Sequence, residues 1–132
     1  MNKIQINLAS FILLCCTAAL ADNQPYTEDH SNIIVTKQHP EFTIKLKSNP
    51  TTGYAWFLRE FNKALMKPVK HHFEVPKTKL IGAPGYELWT FQMKPAAFIV
   101  PQQTEVRFIY ARPWKSTDNS TPIIFKVTTQ SN

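Results

Sequence analysis

From about residue 30 onward, apolar and polar side chains alternate with a period of two, and the 3.6-residue spacing of an amphipathic helix is almost absent. Phe42, Ile44 and Leu46 fall on one face of an extended segment, with Thr43, Lys45 and Lys47 on the other. Tyr54, Trp56 and Leu58 repeat the pattern, as do Val106, Phe108 and Tyr110 around Arg107. Further strands are expected at 33–36, 72–75, 87–94, 97–100, 104–111 and 123–129. A single helical turn is expected at 61–67, ended by Pro68. The ten prolines fall mostly where strands would have to stop. Many short strands, each with one buried and one wet face, predict an all-β fold, a two-sheet antiparallel sandwich rather than a small barrel.

The first residues break this pattern and read as a targeting segment. Lys3 precedes an apolar run from Leu8 to Leu20, and Ala19-Leu20-Ala21 fits the small-x-small rule for cleavage. The run is too short to span a bilayer comfortably, and no stop-transfer pattern follows. Residues 1–21 are therefore expected to be a cleaved signal peptide and 22–31 a polar, flexible lead-in. Residues 32–132 would be one domain, exported to a periplasmic or extracellular space and monomeric, with no membrane attachment after cleavage. Both cysteines, Cys15 and Cys16, lie in the removed segment. A lipid on either is not expected, because Leu14 or Cys15 precedes it. The exported domain then has no disulfide, no thiol nucleophile and no thiolate metal ligand, and must rest on its core.

The net charge of +6, to which segment 1–21 contributes only Lys3, is a mild excess. No basic stripe denser than Val69-Lys70-His71-His72 occurs, which excludes the usual footprint of a nucleic-acid binder. Such a field can instead steer the domain towards an acidic protein partner. An enzyme is not expected. The histidines (His30, His39, His71, His72) have no serine or acid at a recognisable catalytic spacing. His71 and His72, adjacent on a strand, point to opposite faces and make a poor metal pair. No cofactor or metal is expected.

Three segments between strands carry the candidate chemistry. Asn49-Pro50-Thr51-Thr52-Gly53-Tyr54 is stiffened by Pro50, which also restricts Asn49, while Gly53 permits positive φ. A preformed loop with small hydroxyl side chains at its tip loses little entropy on contact, which suits binding better than turnover. Ile81-Gly82-Ala83-Pro84-Gly85 holds the other two of the three glycines in the chain. Arg112-Pro113-Trp114 combines residue types enriched in interface hot spots. Taken singly, the first two are ordinary turns, and Trp114 could equally be folded back over the core.

Together, in this order and spacing, Asn-Pro-Thr-Thr-Gly-Tyr, Gly-Ala-Pro-Gly and Arg-Pro-Trp resemble the chagasin-type inhibitors of papain-like cysteine peptidases. The likeness extends over roughly residues 33–128. The middle motif departs from the family pattern: Pro84 stands where another glycine is usual, which removes a backbone donor. The resemblance implies an immunoglobulin-like antiparallel β-sandwich with three loops at one end. It implies reversible, tight-binding inhibition of papain-like cysteine peptidases. Thr51 and Thr52 would enter the cleft over the catalytic Cys–His pair, held by Asn49, Pro50, Gly53 and Tyr54. Ile81, Gly82, Ala83, Pro84 and Gly85 would run along the non-primed side, with Ile81 in an apolar specificity pocket. Arg112, Pro113 and Trp114 would cover the primed side.

The competing expectation is an exported immunoglobulin-like adhesion or carbohydrate-binding module using the same loop end, since sandwiches host many functions. Nothing in the chain favours an assembly or chaperone role. Asn119-Ser120-Thr121 matches an N-glycosylation acceptor, expected to be unused because a glycan there would crowd the Arg-Pro-Trp loop.

Overall fold

The computed structural model describes residues 24–115 and 120–131. The expected signal peptide and Asn119 of the glycosylation motif lie outside the described residues. Among the described residues seven strands form two sheets: β1 (Asn32–Thr36), β2 (Glu41–Ser48), β3 (Ala55–Phe61), β4 (Met66–Glu74), β5 (Gly85–Met93), β6 (Gln103–Ala111) and β7 (Pro122–Gln130). One sheet has the order β1-β7-β6-β3 and the other β2-β5-β4. Every ladder between these strands is antiparallel except β1 with β7. The expected all-β sandwich is the observed fold.

Alternation is what makes the two layers. Phe42, Ile44 and Leu46 of β2 are buried against Ile33 and Val35 of β1, Val106 and Phe108 of β6, and Phe125 and Val127 of β7. Phe108 is the centre of an aromatic cluster, meeting Trp89, Phe91 and Phe125 edge-on at centroid distances of 5.4, 6.3 and 6.2 Å. Edge-to-face geometry sets the positive ring edge against a neighbour's negative face, adding to the burial energy of each ring.

Three expectations are corrected, each for a stated physical reason. The helical turn expected over 61–67 is cut to a single hydrogen-bonded turn at 62–66. β3 runs to Phe61, and Leu65 and Met66 donate back to Asn62 O in a tight turn. Pro68 does not end an element but lies inside β4, which is longer than the expected strand at 72–75. β4 is an edge strand, and its register shifts between Pro68 and Lys70, so proline is tolerated there. Segment 97–100 is not a strand. Pro95–Phe98 forms a 3₁₀ turn, and the Gln102 side-chain amide donates to the Ala96, Ala97 and Val100 carbonyls.

The polar segment before β1 is also tied down where it is described. Tyr26 bridges to β2, with Tyr26 N–H donating to Thr43 O and Lys45 N–H to Tyr26 O, both at 2.8 Å. Its ring packs against the core, which anchors the described part of the lead-in at this residue.

Strand register places the three connections of interest at one end. Ser48 pairs with Gly85, Glu74 with Tyr86 and Ala55 with Ala111. The loops at 49–54, 75–84 and 112–115 therefore leave the same edge of the sandwich.

Candidate functional site

The loop at 49–54 crosses from β2 in one sheet to β3 in the other. Asn49 is extended (φ −124°, ψ 88°), as a residue before proline should be. Pro50–Thr52 then form a 3₁₀ turn that closes on Gly53 at φ 77°, in the left-handed region. Thr52 N–H donates to Asn49 O at 3.2 Å and Gly53 N–H to Pro50 O at 3.0 Å.

Asn49 is the hub of this loop. Its N–H donates to the Tyr110 hydroxyl at 3.0 Å, and its carbonyl also accepts from Thr52 Oγ1 at 2.7 Å. Its Oδ1 accepts from Thr51 Oγ1 at 2.6 Å, and its Nδ2 donates to Gly82 O at 3.0 Å. All four polar groups of one residue are used, which fixes the turn without a large core behind it. Thr51 and Thr52 remain exposed. Both hydroxyls donate within the loop, and Thr52 Oγ1 also accepts from Tyr54 N–H at 3.4 Å, so towards a partner the two side chains can serve only as acceptors.

The bond from Asn49 to Gly82 ties the first loop to the second. Gly82 has φ 77° with open space where a side chain would be, and Ala83 N–H donates to Leu80 O at 3.3 Å. This turn thrusts Leu80 and Ile81 into solvent. Pro84 is exposed, whereas Gly85 is buried at the start of β5. A methyl group on Gly85 would lie 2.4 Å from the Phe73 ring and 2.5 Å from Glu74 O. Gly85 is thus a packing glycine, turned to the fold.

The third loop grips the first from the other side. Arg112 Nε donates to Thr52 O at 3.1 Å, and its guanidinium lies 4.7 Å from the Tyr54 ring centre. Tyr54 in turn stacks on Tyr110 at 5.2 Å. Trp114 is 70% exposed, so it is not folded over the core. Its six-membered ring covers Gly53, where an added Cβ would approach Cη2 to 2.7 Å. Pro113 is exposed, and Lys115 N–H donates to Arg112 O at 3.1 Å to close the corner.

The structure therefore brings the three loops together as one hydrogen-bonded surface, with Gly85 behind it. Sequence reasoning missed two supports. Tyr110 reads as one more inward aromatic, yet its hydroxyl caps Asn49 and its ring lies tilted against Trp56 at 4.8 Å. Glu87 reads as one polar position in a strand, yet it is buried; the signal available was a carboxylate at an inward position of an alternating segment. His71 and His72 face opposite sides of β4, and His71 stacks on Trp89 at 3.7 Å. Among the described residues no cluster of three or more His, Cys, Asp or Glu could hold a metal, and no helix is long and apolar enough to cross a membrane.

Comparison with known proteins agrees with this architecture. The model of the chagasin family of I42 peptidase inhibitors matches residues 36–128. Chagasin of Trypanosoma cruzi is 33% identical over 93 residues, which is 67% of this chain and 80% of the relative. Among solved structures, Amebosin superposes with a TM-score of 0.58 at 22% identity, covering 81% of this chain and 100% of that one. A cysteine protease inhibitor of Entamoeba histolytica gives 0.56 at 18% identity, with 81% and 100% covered. The two structures share the sandwich fold, and the sequence matches specify the lineage: the chain belongs to the chagasin family of peptidase inhibitors.

Proposed function

We propose that this protein is a reversible, competitive inhibitor of papain-like cysteine peptidases, and that its three loops fill the peptidase cleft. Family membership supports the inhibitory role, which also displaces the reading as an enzyme or as an adhesion or carbohydrate-binding module. The observation that carries the three-loop mechanism is the pair of bonds, Asn49 to Gly82 and Arg112 to Thr52, that lock the loops to one another before any partner arrives. A surface already in its bound shape loses little entropy on docking.

In this reading Thr51 and Thr52 are the point of the wedge. Their hydroxyls already donate within the loop, so they meet a partner as acceptors, suited to a cleft lined by donors. Asn49, Pro50, Gly53 and Tyr54 hold that point. Ile81 enters an apolar subsite, with Gly82, Ala83 and Pro84 shaping the approach and Gly85 anchoring it. Trp114, with Arg112 and Pro113, covers the other side. The contact would be about 800 Å² per partner, the usual size for inhibitor complexes.

Resistance to cleavage follows from the carbonyls. Pro50–Thr52 is wound into a 3₁₀ turn, and the hydrogen bonds accepted by the Asn49, Pro50 and Thr52 carbonyls hold it there, so the tip is not presented to the thiolate as an extended strand. Titration of papain with the domain, followed with a fluorogenic peptide, should abolish turnover stoichiometrically. Full activity at micromolar inhibitor would refute the proposal. Export rests on the composition of residues 1–21. N-terminal sequencing of secreted protein should begin at Asp22.

A further inference from the structure

We propose that Glu87 is a positioning residue for inhibition, a buried carboxylate that holds the feet of the wedge loop together across the two sheets. The proposal rests on the loops being the peptidase-facing surface. Glu87 is only 6% exposed and points into the sandwich as the third residue of β5, just after the second loop ends. Its Oε1 accepts from Ser48 Oγ at 2.8 Å and from Trp56 N–H at 3.2 Å. Ser48 is the last residue of β2 and Trp56 the second of β3, so these donors lie on either side of the loop at 49–54.

The two strands belong to different sheets and share no ladder. One oxygen therefore bridges a gap that backbone pairing does not close. Oε2 lies 3.1 Å from His71 Nε2 on β4, the strand that leads into the second loop. Trp56 Nε1 donates to Lys47 O at 2.9 Å, a second tie between the same feet. A carboxylate buried among apolar side chains is costly unless its lone pairs are occupied, and here three donors or potential donors surround it. Fold stability alone would be served as well by an apolar side chain of the same size. An apolar side chain, however, cannot fix the separation of Ser48 and Trp56, which sets the pitch of the wedge between them.

Two substitutions separate positioning from simple stability. Glu87→Leu keeps the bulk and removes every acceptor. Glu87→Gln keeps Oε1 for Ser48 and Trp56 and can donate to His71 Nε2 in the matching tautomer. With the wild-type domain inhibiting papain, Glu87→Leu should raise Ki at least tenfold through faster dissociation, at a temperature well below its melting point. Glu87→Gln should stay within threefold of wild type. In the free proteins, amide exchange at Thr52 and Gly53, neither of which touches Glu87, should quicken in Glu87→Leu and not in Glu87→Gln.

Unchanged Ki and unchanged exchange in a folded Glu87→Leu, or a lowered melting temperature alone, would overturn the proposal. If Glu87→Leu does not fold, Ser48→Ala removes one arm. It should quicken the same two amides and raise Ki several-fold, and unchanged exchange there overturns the proposal equally. The exchange arm uses no peptidase, so failure of the wild type to inhibit refutes the functional reading alone.

Discussion

At Gly53 two constraints coincide that can be pulled apart by substitution. Its φ of 77° costs any residue with a Cβ about 1–2 kcal/mol. The same Cβ would also sit 2.7 Å from the Trp114 ring. Gly82 shares the φ of 77° but faces open space. Gly53→Ala should therefore destabilise more than Gly82→Ala in urea denaturation. In a Trp114→Ala background the excess should vanish, leaving only the conformational cost. Equal losses for the two glycines in the wild-type background would show that Trp114 does not rest on the first loop. Within the loops, Asn49 illustrates what sequence conveys and what it withholds. Pro50 beside it and Gly53 beyond it announce a stiff turn. The acceptor of Asn49 Nδ2 lies 33 residues away at Gly82 O, a partner that only the β2–β5 register brings near. Glu87 was hidden for the same reason, since its donors come from β2 and β3 and each looks unremarkable in its own strand.

Among the elements, those with clean alternation were legible and the others were not. β2 and β6 each bury alternate residues in the core, and period two identifies them without help. β4 is exposed along most of its length and carries Pro68, so neither periodicity nor propensity marks it before residue 72. It forms because β5 offers a paired edge, a tertiary cause that local sequence cannot display. Segment 97–100 failed the opposite way: its apolar run resembles a buried strand, but Pro95 and the Gln102 side chain wind it into a turn. The elements rest on a common centre, and that gives a direct test. Phe108 of β6 is fully buried and meets rings from β5 and β7. Phe108→Ala should cost about 3–5 kcal/mol, read as a lower urea midpoint with unchanged slope. A loss below about 1 kcal/mol would mean that the sheets close over the cavity. Thr51→Arg, at the exposed tip, should leave that midpoint within about 0.5 kcal/mol of wild type. Combined with Trp114→Ala it should abolish inhibition, and retained inhibition would show that the wrong loops have been assigned.

For the whole molecule, the sandwich acts as a frame whose charge is not spread evenly over function. The charged side chains of the first two loops are Lys77 and Lys79, both in the second; the third carries Arg112 and Lys115, with Asp118 following outside the described residues. Arg112 is committed to Thr52 O and the Tyr54 ring, so its charge also holds the wedge. Lys77 and Lys79 are exposed and stand beside the apolar pair Leu80 and Ile81. Charges at the rim of an interface act mainly on the encounter, because they are felt before contact and remain solvated after it. Over a separation beyond the Debye length of about 10 Å at 0.1 M, salt removes that pull. A cleft with an acidic approach should then capture the inhibitor faster at low ionic strength. Reversing both lysines, Lys77→Glu with Lys79→Glu, should slow association several-fold, flatten its salt dependence and leave dissociation within about twofold. Stopped-flow measurement at two salt concentrations separates the rates. If dissociation quickens instead while association holds, the lysines are buried contacts of the complex, and the second loop reaches further across the peptidase than Ile81.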